Sequence, residues 1–198
     1  MKAFLAFLLW FASAVAHAAD PATAQKLREG GYVLYMRHTS TDFSKNDQNM
    51  KDFEDCANQR PLTDKGRAEA RDVAAQIRRL GIPIGEVLAS PFCRTMETAR
   101  LAFGKATVMH EVRGGPLRPD DPARYEALKK LMSSKVAKGT NLVISSHGNP
   151  FRALTDSPYL AEGEIAVVRP DGDGRFTVID RIRLEDWKAL PSAAGRAS

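Results

Sequence analysis

Three apolar runs along this chain end in a cationic or imidazole side chain where a turn residue is normally found. Gly31-Tyr32-Val33-Leu34-Tyr35-Met36 runs straight into Arg37 and His38. Val87-Leu88-Ala89 leads through Ser90-Pro91-Phe92-Cys93 into Arg94, and Leu142-Val143-Ile144 leads through Ser145-Ser146 into His147. Continuous apolar runs of this length predict strands buried on both faces, as in a mostly parallel sheet. Open α/β sheets bind ligands at the carboxyl edge of such strands. Side by side, the three strands would gather two arginines and two histidines into one pocket, an anion site that also holds a nucleophile.

The remaining pattern fills in the layers around that sheet. Asp20 to Glu29 reads as a short amphipathic helix leading to the first strand. Thr63 is a good N-cap and Asp64 suits a first helical turn; Ala70, Val73, Ala74, Ile77 and Leu80 then fall on one face, and Gly81 with Pro83 ends the helix. Gly66, within that first turn, either admits the close approach of another backbone or is an ordinary tolerated glycine. A strand at Glu86 to Ser90 is followed by a helix from Arg94 to Phe103 and a short strand at Ala106 to Met109. Asp121-Pro122 has the form of an N-cap and first helical residue, opening a helix that turns Tyr125, Leu128, Leu131 and Met132 inward. Asn149-Pro150 repeats the arrangement, so a helix is expected just beyond His147, its free N–H groups facing the pocket. Glu164 to Arg169 is a further strand and Asp171-Gly172-Asp173-Gly174 a hairpin turn. In the last strand Phe176, Val178, Ile182 and Leu184 are expected on one face, with Thr177, Arg181 and Arg183 on the other, as in a half-exposed antiparallel strand near a sheet edge. Ser40 to Arg60 is long, polar and aperiodic. It reads as an ordered active-site loop, with a mobile surface loop as the alternative for Lys45 to Asp55.

The N-terminus changes the compartment. Lys2, an apolar run from Ala3 to Val15 and then Ala16-His17-Ala18 match the n-region, h-region and cleavage site of a secretory signal peptide over residues 1–18. The run is too short for a comfortable membrane span, so no stable membrane insertion is expected after cleavage, and His17 leaves the chemistry. One domain is expected over residues 19–190, with a disordered small-residue tail at 191–198. Losing Lys2 takes the net charge from +5 to +4. That modest balance favours anionic substrates or surfaces. With no basic run and no nucleic-acid-binding motif, nucleic acid is not an expected partner. An even pair of cysteines in an exported chain, Cys56 and Cys93, is a disulfide candidate; two unpaired buried thiols are the alternative.

Four stretches in this order resemble the histidine phosphatase superfamily, the group that includes phosphoglycerate mutase. They are Tyr35-Met36-Arg37-His38, Pro61-Leu62-Thr63-Asp64-Lys65-Gly66, Ala89-Ser90-Pro91-Phe92-Cys93-Arg94-Thr95-Met96-Glu97-Thr98-Ala99, and Ser146-His147-Gly148-Asn149. The resemblance implies an α/β fold, a three-layer α/β/α sandwich around a mixed, mostly parallel sheet. It implies that His38 attacks phosphorus to form a phosphohistidine. Arg37, Arg94 and His147 would hold the non-bridging oxygens as fixed cationic donors, and neither a metal nor a cofactor is needed. Two departures stand out. The family's Gly after Arg-His is Thr39 here, which still offers an N–H to phosphate and adds a hydroxyl. The carboxylate that mutase-like members carry in a Leu-Arg-Glu stretch is missing from Val112-Arg113-Gly114. Glu164, at the pocket end of an antiparallel strand, is the favoured substitute acid; Glu111, Asp120 and Asp121 are the alternatives, and an ordinary strand-end carboxylate is the plain reading of Glu164.

The function expected from this is an exported phosphomonoester hydrolase, periplasmic or secreted. Its substrate would be a small phosphorylated molecule or an envelope glycolipid phosphate, as in the related envelope heptose-phosphate phosphatases. A non-catalytic phosphate-binding module and a phosphomutase are the competing readings; export argues against the second, whose substrates are cytoplasmic.

Overall fold

The structure, a computed structural model, describes residues 19–115 and 123–192. The expected signal peptide, the 116–122 connection with Asp120 and Asp121, and all of the expected tail but Pro191 and Ser192 lie outside the described residues.

Six strands form one sheet: β1 Val33–Arg37, β2 Ile84–Ala89, β3 Thr107–Val108, β4 Asn141–Ser146, β5 Ile165–Gly172 and β6 Arg175–Ile182. Their order is β3-β2-β4-β1-β5-β6, with β3, β2, β4 and β1 paired in parallel and β5 antiparallel to both of its neighbours, β1 and β6. The three runs that end in functional side chains are therefore neighbours, as their apolar character requires of central strands. Register brings their ends level, Arg37 opposite Ser146 and Ala89 opposite Ser145. Backbone bonds continue past the strand ends, from His38 N–H to Ser146 carbonyl at 3.1 Å and from Ser90 N–H to Ser145 carbonyl at 2.9 Å. The residues that carry the chemistry are thus fixed to the ladder itself.

Helices cover both faces. Alternation along β1 sends Leu34 and Met36 to one core and Val33 and Tyr35 to the other. The first core is closed by α1 Pro21–Glu29, α2 Asp64–Leu80 and α3 Cys93–Phe103, the second by α4 Glu126–Ser133 and α5 Gly148–Thr155. α2 starts and stops as its sequence dictates: the Thr63 hydroxyl accepts from Gly66 N–H at 2.9 Å, and Gly81 ends it in a left-handed conformation. Its inward row of Ala70, Val73, Ala74, Ile77 and Leu80 is buried, and truncating Leu80 would cost about 2–5 kcal/mol. Gly66 serves close approach: a Cβ there would lie 2.1 Å from the Ser40 carbonyl oxygen, which binds Thr63 N–H at 3.0 Å.

Two local expectations are corrected. α5 is capped by His147, with Asn149 and Pro150 already inside its first turn. In β6 a bulge between the pairs Val167–Asp180 and Val168–Val178 shifts the alternation. Phe176 and Val178 therefore join one core while Ile182 and Leu184 join the other. Between β1 and α2 the long polar connection holds one short 3-10 turn, Cys56–Asn58, and is closed at its base by a bridge between Thr41 and Leu62.

Candidate active site

A cavity of about 290 Å³ opens at the carboxyl edge of β1, β2 and β4. Strand ends supply one side of it. His38, 1 % exposed, lies against the Thr39 carbonyl, 3.0 Å from Nδ1. A carbonyl only accepts, so Nδ1 carries the proton and a neutral ring leaves Nε2 as a free lone pair. Arg37 donates from Nη1 to the Leu160 carbonyl at 2.7 Å, and its guanidinium lies over the Tyr159 ring, 5.2 Å from the centroid. His147 is aligned through Nε2 with the Ser90 hydroxyl at 2.9 Å, while its own carbonyl accepts from the Tyr35 hydroxyl at 2.8 Å. The two imidazoles are 5.5 Å apart.

The other side comes from α3 and the long loop. Arg94, in the first turn of α3, is buried over the Phe92 ring at 4.5 Å. A cation there opposes the helix dipole, and the Asp47 carboxylate offsets this by accepting from Arg94 Nη1 at 2.9 Å. The same Asp47 oxygen accepts the Arg60 N–H at 2.8 Å. Arg60 completes a set of three guanidiniums lining the cavity. Loop and helix are joined covalently by the Cys56–Cys93 disulfide, whose Cα atoms are 5.7 Å apart. Gln59 doubles that join, accepting from Cys93 N–H at 2.9 Å and donating to the Phe53 carbonyl at 3.0 Å.

Charge in this cavity resides on the arginines. Burial, and after it Arg94, Arg37 and Arg60, push the His38 imidazole down to about 3, against the pull of its bond to Thr39. Burial likewise holds His147 well below the usual histidine range, with His38, Arg94, Arg60 and Arg37 adding to the effect. Both rings are therefore neutral near pH 7, and His147 offers a hydrogen bond where a cationic donor was expected. Burial also lowers Arg37 and Arg94, partly offset by Glu162 and Asp47 respectively, but guanidiniums stay charged throughout the physiological range.

The structure brings Arg37, His38, Arg94 and His147 together and keeps two other expected residues away. Thr39 is fully buried and faces α3, its N–H and hydroxyl each 3.3 Å from the Thr98 hydroxyl, so it is not on the cavity wall. Glu164, 2 % exposed, is tied on both oxygens: Arg181 donates to them at 2.7 and 2.9 Å, and Ala161 N–H at 2.6 Å. Arg181 and the Ala161 N–H thus engage both of its oxygens, and it is not among the described residues that line the cavity. Glu111 is exposed on a separate 3-10 turn, His110–Val112, and does not line the cavity. Gly114 does line it, in the place where mutase-like members carry their acid, and a Cβ there would lie 2.8 Å from the His147 ring. Asp47 and Arg60 were missed because an aperiodic polar loop gives no signal of which charges turn inward. The neighbourhood of Arg60 to the Pro61-Leu62 stretch was the one available hint.

A three-layer α/β/α fold with a nucleophile and, among the described residues, three guanidiniums at the carboxyl edge is the arrangement of a phosphoryl-handling enzyme. Residues 33–115 match the histidine phosphatase superfamily (branch 1). Over that segment the chain is similar to the superfamily, and the match with the phosphatase structures below supports a phosphatase; His147 lies beyond the matched segment but closes the same cavity. No curated protein matches the sequence. Among solved structures, the protein histidine phosphatase SixA complexed with tungstate is 26% identical, covering 78% of this chain and 98% of its own, with a TM-score of 0.54. A phosphoserine phosphatase variant from Entamoeba histolytica, bound to phosphoserine, shares the fold at 14% identity over 78% of this chain and 98% of its own, TM-score 0.53. YhfR from Bacillus stearothermophilus does so at 16% identity over 75% and 95%, TM-score 0.52.

Proposed function

We propose that this protein is an exported phosphomonoester hydrolase that works through a phosphohistidine on His38. The observation that carries the reading is the neutral His38 ring, its Nδ1 proton held by the Thr39 carbonyl, in a cavity lined by guanidiniums. Nε2 attacks phosphorus, forming the N–P bond as the P–O bond to the leaving group breaks, and the departing oxygen takes its proton from solvent water. Water then attacks the phosphohistidine, releasing phosphate and restoring the ring. Arg37 and Arg94, with the His147 hydrogen bond, stabilise the charge spread over the equatorial oxygens, and their fixed anchors mean little reorganisation as that charge develops. Export rests on the signal-like N-terminus and accords with the disulfide, which persists in oxidising compartments. Small sugar phosphates and glycolipid phosphates of the envelope fit that location.

One observation favours a second substrate class. Among the described lining residues Asp47 is the sole carboxylate, and Arg94 engages it. A leaving group that departs without a strong acid, such as the imidazole of a protein phosphohistidine, suits that pocket, and SixA is a protein histidine phosphatase. Phosphate release from a sugar phosphate, p-nitrophenyl phosphate and a phosphohistidine peptide, each with and without vanadate, tests both. Vanadate-sensitive turnover of the esters supports the first reading, turnover of the peptide alone the second, and no turnover of any of them contradicts the mechanism.

A further inference from the structure

We infer that Arg60 is a further phosphoryl-binding residue, and that the Cys56–Cys93 disulfide holds it in the pocket. The inference rests on the pocket being a phosphoryl site. Arg60 lines the cavity with Arg37 and Arg94, and its buried Nε has no hydrogen-bond partner among the described residues. A buried guanidinium N–H without an acceptor is costly unless a ligand supplies one. Among the described residues the Phe43 ring supports it, 4.7 Å from the guanidinium carbon, a contact that orients the plane without consuming a donor. Charge points the same way. Among the described lining residues three guanidiniums face one carboxylate, Asp47, and Glu162 lies 3.7 Å from Arg37 Nη2, so Arg60 carries the positive excess that an anion would meet.

The backbone explains how a loop residue can be held for this task. On its C-terminal side Arg60 is anchored within two residues by the Thr41–Leu62 bridge and by the bond from Asp42 N–H to the Pro61 carbonyl. On its N-terminal side the anchors are Gln59 and, four residues back, the disulfide to the residue preceding Arg94. Asp47 then ties the Arg60 backbone and the Arg94 side chain to one oxygen. The two clamp arginines are thus spaced by one covalent bond, and opening it should cost anion affinity specifically through Arg60.

Calorimetric titration of the mature protein with inorganic phosphate tests this without relying on turnover. Arg60→Gln should weaken phosphate binding by about tenfold or more, and Arg60→Lys by less, since it restores charge but not the planar fork. Cys56→Ser with Cys93→Ser, or phosphine reduction of the wild type, should weaken binding severalfold, and should weaken it no further in the Arg60→Gln background. Melting curves establish that each protein is folded when titrated. Wild-type affinity in Arg60→Gln, or an equal loss on opening the disulfide with and without Arg60, overturns the inference. Absence of phosphate binding by the wild type would instead defeat the phosphoryl-pocket reading beneath it.

Discussion

The two sides of the pocket are built by opposite means. Arg37, His38 and His147 stand on or just beyond central strands, and ladder bonds continue through His38. Asp47 and Arg60 stand on a loop with little regular structure, placed by a disulfide, a glutamine and a few Asx-type turns. A strand-borne group is fixed by the same interactions that fold the domain, so perturbing it acts on chemistry. A loop-borne group is fixed by a few local bonds, so breaking one acts on binding before it threatens the fold.

The largest expected effect lies on the strand side. His38→Ala should abolish turnover, by roughly 10⁴-fold or more, while leaving the fold intact, because the remaining cations bind but cannot form the covalent intermediate. Steady-state assay with a melting curve checks both halves of that statement. Arg94→Lys, at the seam between the two sides, should lower kcat by about 10²-fold, since a planar contact that tightens in the transition state is replaced by a point charge. A raised KM with unchanged kcat would move Arg94 to the ground state and blur the distinction between the sides.

Opening the disulfide is the corresponding test on the loop side. Cys56 and Cys93 are 37 positions apart, and closing a loop of that size is worth roughly 3–4 kcal/mol by chain entropy. The double serine variant should melt earlier and turn over more slowly, the loss in activity being much smaller than that of His38→Ala. Alkylation of the denatured, unreduced protein, followed by mass spectrometry, checks that the bond is present; two added alkyl groups would show free thiols.

Most of the strand side was legible in the sequence and most of the loop side was not. An apolar run declares a buried strand, and an Arg-His or a His at its end then falls at the edge where ligands bind. Polar loop residues carry no such period. The loop therefore read as functional from its length alone, while Asp47 and Arg60 are found only when the chain folds back on α3. The surroundings of Glu164 were hidden for a related reason: strand position placed its backbone correctly, but the side chain's partner, Arg181, comes from β6. The β6 bulge was invisible too, since it depends on pairing with β5.

Two smaller effects sharpen the contrast. The folded protein keeps His38 neutral down to about 3, whereas the unfolded chain takes up a proton near 6.5, so the unfolded state binds more protons between those values. The stability gained is complete above about pH 6.5 and drains as pH falls, by about 1.4 kcal/mol per unit for each such histidine. Denaturant midpoints between pH 7 and 4 should show the decline, and His38→Asn should reduce its slope, leaving the part due to His147. Glu164→Gln should lower the melting temperature and leave kcat within about threefold of wild type, because the change weakens the pair with Arg181 and Glu164 is not among the described cavity-lining residues. A large selective fall in kcat there would return Glu164 to the chemistry.

The central claim is that His38 becomes phosphorylated during turnover. Rapid mixing with substrate labelled at phosphorus, an alkaline quench and peptide mapping address it directly, because phosphoramidates survive base and decay in acid. Label that is stable in base, lost in acid and confined to the peptide containing His38 is the predicted result. Turnover without such label, or with label on another residue, would contradict the account.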